Sequence, residues 1–175
     1  GAYTGAVFHV MTHAFFKAML FMGAGGVIIA LHHEQNIFNI AKHRAILPII
    51  SATFLIGVIA ISGIPPFSGF FSKDAILAAA FQEGHYLIYG IALFTAFLTA
   101  FYMFRLYFVV FVTPNHHKKE YVYTSKTITF PLVVLAVGAV TAGFLNLPSI
   151  FGGTHMVDTW LGSLNSKTIT LSHST

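Results

Sequence analysis

The sequence predicts an all-α fold, a polytopic bundle of transmembrane helices with about four spans, one of them a discontinuous helix broken near Pro65-Pro66. Three observations carry this. Apolar residues fill 56% of the 175 positions, and charged residues only 8%. Soluble domains carry roughly a quarter charged residues, so there are too few here to cover a water-facing surface. The mean hydropathy of +0.78 agrees.

A helix crossing the hydrocarbon core needs about 20 apolar residues. The first span is expected over 5–31, interrupted only by Lys17. A second apolar run covers 46–83, which as one straight helix would far exceed a core about 30 Å thick. Gly63-Ile64-Pro65-Pro66-Phe67-Ser68-Gly69 is where it must break. Pro65 and Pro66 lack backbone donors, and Gly63 and Gly69 permit unusual torsions. Non-helical backbone at membrane depth is tolerated only inside protein or beside a wet cavity. The third span is expected over 86–112, with Arg105 deep inside it, and the fourth over 127–147. Residues 1–147 thus form the transmembrane part, and 148–175 a polar tail.

Between the spans lie a polar loop from His32 to Arg44, a tight turn at Glu83-Gly84-His85, and a loop from Thr113 to Lys126. The first loop carries Lys42 and Arg44, and the last carries Lys118, Lys119 and Lys126. With alternating crossings these two loops share a side, which the positive-inside rule assigns to the cytoplasm. The chain opens Gly1-Ala2-Tyr3 rather than with Met, and is read as an internal fragment of a longer polytopic protein. The net charge of +4 is too small and scattered for a nucleic-acid footprint. With no cysteine, disulfides, thiolate metal sites and iron–sulfur clusters are excluded from this chain.

Two constellations carry the chemistry. His9, His13 and Lys17 stand at i, i+4 and i+8, along one face of the first helix. Successive members rise about 6 Å along the axis, a gap that one bridging water closes. An ionised lysine near mid-span costs about 2.5–3.5 kcal/mol, so Lys17 needs a polar interior, a partner, or release of its proton. A lysine held between desolvation and a carboxylate can switch between charged and neutral forms, and histidine titrates near neutral pH. The three together make a reasonable proton wire. Metal binding, or hydrogen bonding between helices, are the alternatives for the histidines, and snorkelling the alternative for Lys17. No metal site is expected. Lys73-Asp74, just after the break, is the second constellation. Its plainer reading is a charge pair at a half-helix start, where a carboxylate suits the dipole. Arg105 is a candidate partner for Asp74.

His9-Val10-Met11-Thr12-His13-Ala14-Phe15-Phe16-Lys17-Ala18, followed by Leu20-Phe21-Met22-Gly23-Ala24-Gly25, resembles the core of the antiporter-like subunits of respiratory complex I. Gly63-Ile64-Pro65-Pro66-Phe67-Ser68-Gly69-Phe70-Phe71-Ser72-Lys73-Asp74 is similar to the broken helix of the same family. Lys73, where M and N types usually carry glutamate, and the stretch His32-His33-Glu34-Gln35-Asn36-Ile37 are similar to the L-type pattern. The resemblance implies proton translocation coupled to electron transfer from NADH to quinone. Lys17 would be the central proton carrier, His13 and His9 its relay, and Lys73 the terminal lysine. It further implies that NADH, flavin, iron–sulfur clusters and quinone belong to other subunits. The expected partners are other membrane-arm subunits, especially the adjacent M-type subunit, and the lipid bilayer. The expected location is a bacterial inner membrane or an equivalent energy-transducing one. By the same resemblance, the family's first half-channel, the long lateral helix and the final anchor lie outside this chain. A subunit of a multisubunit monovalent cation/proton antiporter, or of a membrane-bound hydrogenase, is the alternative. A segment whose polar residues only hold helices together is a further one.

Overall fold

In a computed structural model, residues 2–43, 45–112, 120–121 and 124–145 are described. The expected tail over 148–175, the end of the fourth expected span and most of the loop over 113–126 lie outside them. Helix α1 covers Ala2–Ala30, α2 Ile37–His43, α3 Pro48–Ser62, α4 Ser68–Gln82, α5 Tyr86–Tyr107 and α6 Lys126–Thr141. A π turn, Phe108–Val112, extends α5, and a 3₁₀ turn, Ala142–Leu145, extends α6. The stretches Gly5–Ala30 and Tyr86–Val112 are long and apolar enough to cross a membrane, while α3 and α6 are shorter apolar helices.

Two details depart from the sequence expectation. The loop after α1 holds a helix, α2, started by Asn36, whose side-chain oxygen accepts from the Phe38 amide at 3.0 Å. The described residues also include one scrap of sheet. Strand β1, Ala45–Ile46, pairs in parallel with β2, Glu120–Tyr121. That pairing brings the first and last loops to the same end of the bundle.

Helix α1 packs against α3, α4 and α6, while α3 also meets α5 and α6. Phe16, Met19, Ile50, Val58 and Leu132 are fully buried where these helices meet. Small residues let the helices approach, as expected where lipid leaves no hydrophobic force between them. Gly57 lies under Leu20 and Met19, and Gly138 under the Phe15 ring. The outside is the reverse of a soluble protein. Leu87, Phe94, Phe97 and Phe101 of α5 are all more than 60% exposed, an apolar surface too extensive for water to bear.

The sequence 63–67 separates α3 from α4 as individual residues dictate. Gly63 ends α3 at φ +74, a left-handed conformation that favours glycine. The Gly63 amide donates to the Ala60 carbonyl and the Ile64 amide to that of Ile59. The Ile61 carbonyl would ordinarily accept from the amide four residues on, but residue 65 is proline. Gly69 does not supply the torsion expected of it. It is the second residue of α4, and its need is for contact: a Cβ there would collide with the Ala60 carbonyl. Glu83-Gly84-His85 then turns the chain into α5, with Gly84 at φ +79.

Candidate functional site

The His9–His13–Lys17 ladder runs along the edge of the packed face of α1, each side chain half-buried. The His9 and His13 rings stand 5.9 Å apart between centroids, and the His13 and Phe16 rings are 5.2 Å apart in an edge-to-face arrangement. Lys17 continues the line by one turn. Its ammonium lies 5.4 Å from the centre of the Phe21 ring, a cation–π contact. Among the described residues it forms no ion pair with a carboxylate.

His9 also reaches across to α4. Its Nδ1 lies 2.9 Å from Ser72 Oγ, and Thr12 Oγ1 lies 3.1 Å from the same oxygen. Thr12 and Ser72 are both fully buried. A hydroxyl seam therefore ties the ladder to the residue immediately before Lys73. The sequence reading did not single out either residue. The available signal was position: Thr12 sits three residues from His9, and Ser72 adjoins Lys73. Ser68, one turn earlier on α4, is buried as well, and its hydroxyl has no protein partner among the described residues.

Lys73 turns back across the break. Its Nζ donates to the Ile61 carbonyl, the acceptor whose helical donor Pro65 removed. A cation at a helix C-terminus also suits the dipole, so Lys73 completes the end of α3 from the second turn of α4. Asp74 is exposed, and it lies beyond the first turn of α4, which holds no acidic residue. The helix-start role considered for it does not apply. Nor does it pair with Arg105, which is exposed in the last turn of α5, within the apolar stretch Tyr86–Val112. Asp74 and Lys73 instead line a cavity of about 420 Å³ with Ser62, Gly63, Leu93 and Phe97. Among the described residues no three histidine or carboxylate side chains converge as a metal site would require.

The arrangement is thus a bundle of apolar helices in which His9, Thr12 and Ser72 form a polar seam, with the His13 ring beside His9 and Lys73 next after Ser72 at the helix break. Ionisable groups kept inside such a bundle at a cost mark a functional site by default. Residues 1–99 match the family described as NADH:quinone oxidoreductase/Mrp antiporter, transmembrane. The chain belongs to that family, and is an integral membrane chain.

It is 43% identical over 156 residues to NADH-quinone oxidoreductase subunit L of Escherichia coli, an overlap of 86% of this chain and 25% of the relative. With subunit L of Mycobacterium tuberculosis it is 43% identical over 176 residues, covering 95% of this chain and 27% of the relative. With NAD(P)H-quinone oxidoreductase chain 5 of a Picosynechococcus it is 40% identical over 178 residues, covering 85% and 27%. The chain spans about a quarter of the length of these curated relatives. Their names bear out the resemblance to L-type subunits drawn from Lys73 and from the stretch after the first helix.

Proposed function

We propose that the protein containing this chain translocates protons across an energy-transducing membrane as the L-type, antiporter-like subunit of complex I. The observation that carries the reading is the seam from His13 through His9 to Ser72, the residue beside Lys73. Lys17 holds the mobile proton near mid-span, and His13 and His9 relay it. Lys73, poised at the break with Asp74 beside a cavity, receives or releases it. Each step transfers one proton between neighbouring groups, so charge moves without any bond to carbon changing.

In this reading α3 and α4 are the halves of one discontinuous span, held together by the Lys73 contact with Ile61. With α1, α5 and α6, they make about four crossings. NADH oxidation and quinone reduction, with their flavin and iron–sulfur clusters, take place in other subunits, so the chain contributes to an enzyme without holding its redox centre. Its neighbours are other membrane-arm subunits, the M-type subunit adjacent, and the membrane is a bacterial inner membrane or its equivalent. The names of the relatives favour this over a cation/proton antiporter, although the family spans both.

The test is NADH-driven proton uptake in inverted vesicles holding the full-length protein in its assembled complex, comparing Lys17→Met with the parent. Loss of uptake per NADH, with complex content unchanged, is the expected result. Parental uptake would reduce the ladder to helix packing. Sodium-dependent transport without NADH oxidation would favour the antiporter.

A further inference from the structure

Hydroxyls in these helices mostly satisfy themselves. Thr53, Ser62, Thr95, Thr99 and Thr141 each donate to the carbonyl four residues back on their own helix. That is the ordinary solution for a hydroxyl in an apolar helix. Thr12 and Ser72 are different, because they meet each other across α1 and α4 while fully buried.

Four contacts converge on this pair. Ser72 Oγ lies 2.9 Å from His9 Nδ1, 3.1 Å from Thr12 Oγ1 and 3.4 Å from the Gly69 carbonyl oxygen. Thr12 Oγ1 lies 3.0 Å from the carbonyl oxygen of His9. A hydroxyl has one proton to donate, so the four cannot all be made at once. They divide into two complete sets. When Nδ1 is bare, Ser72 donates to it and Thr12 donates to Ser72. When Nδ1 carries a proton, it donates to Ser72 Oγ, Ser72 turns to the Gly69 carbonyl, and Thr12 can turn to the His9 carbonyl, leaving Ser72 Oγ to accept from Nδ1 alone. In both sets every donor has an acceptor.

We propose that the Thr12–Ser72 pair is a two-position hydrogen-bond switch that lets His9 carry or lack a proton at Nδ1 without leaving a buried polar group unpaired. The inference rests on the proton-translocation reading and names how one relay member is supported. Thr12 and Ser72 are positioning residues. Only the directions of two O–H bonds change, and the proton that comes or goes is the one on His9. A buried group left without its partner is penalised heavily, so a fixed donor on either side would favour one state of His9 and slow the relay. The switch also carries the state of His9 to Gly69, the residue packed on the end of α3.

The experiment uses the full-length protein in its assembled complex, with proton uptake per NADH in inverted vesicles as readout. Thr12→Val keeps the shape and removes the hydroxyl, whereas Thr12→Ser keeps the hydroxyl and removes a methyl. The expected result is uptake within about twofold of the parent for Thr12→Ser, and a fall of about fivefold or more for Thr12→Val and Ser72→Ala. A packing role predicts the opposite order for the two Thr12 variants. Parental uptake in Thr12→Val, or equal losses in Thr12→Val and Thr12→Ser, would overturn the switch. Lys17→Met, run alongside, separates the two ideas. If it loses uptake while Thr12→Val does not, only the switch is wrong; if it too pumps normally, the proton reading fails.

Discussion

Replacing Gly69 by alanine adds one methyl group where α4 crosses the end of α3. The new Cβ would stand 2.9 Å from the Ala60 carbonyl carbon and collide outright with its oxygen. The obstacle is backbone, so no rotamer change relieves it, and α4 must retreat by about 1 Å or more to restore contact distance. Overpacking of this kind costs about 1–3 kcal/mol, and a backbone obstacle places Gly69→Ala near 3. Alanine recovers about 1 kcal/mol through its helix propensity. The net is about 2 kcal/mol, roughly a thirtyfold shift in the equilibrium between the packed and displaced arrangements. The same retreat stretches the 2.9 Å contact of His9 with Ser72 beyond hydrogen-bond range, so function falls along with stability. The assay is thermal inactivation of the solubilised full-length complex, together with proton uptake per NADH. Gly90→Ala is the control, because an added Cβ there meets nothing within 4 Å. If Gly69→Ala behaved like Gly90→Ala in both measurements, the reasoning about the break would be refuted.

Three further outcomes follow from the same geometry. Gly138→Ala places a Cβ 2.5 Å from the Phe15 ring; because a ring can tilt away, the cost is about 1 kcal/mol, and thermal inactivation should show a smaller loss than for Gly69→Ala. Lys73→Met leaves the Ile61 carbonyl without its donor and should lower stability by about 1–3 kcal/mol. Lys73→Arg keeps a donor and should lose less, so equal stability of the two would count against the capping contact. Asp74→Asn, at an exposed position without an ion pair to Arg105, should change stability by under about 0.5 kcal/mol while lowering proton uptake. Unchanged uptake would remove Asp74 from the site.

Much of the architecture could be read from composition and spacing. A 3.6-residue period alone aligns His9, His13 and Lys17, and proline chemistry alone requires a helix to stop before Pro65. What escaped the sequence depends on contacts between helices. Nothing local distinguishes Ser72 from Thr95, since both are hydroxyls in apolar helices; only the placement of α1 beside α4 gives Ser72 a partner in His9. The Ile61 carbonyl could have been identified as lacking a helical donor, but not that Lys73 would supply one from twelve residues away. Glycine has two uses, torsional freedom and close approach, and the sequence does not say which applies at Gly69. Helix α2 is not legible in the sequence, because a seven-residue helix gives too short a period to stand out from a polar loop.

The central claim is that the α1 ladder and the α4 lysine lie on one proton path. A double-mutant comparison of His9→Gln and Lys73→Gln tests it most directly, measured as proton uptake per NADH in vesicles with equal complex content. Groups acting in series predict that the double variant pumps as well as the more impaired single variant. Losses that multiply would place the two groups on separate paths, and parental uptake in either single variant would contradict the account.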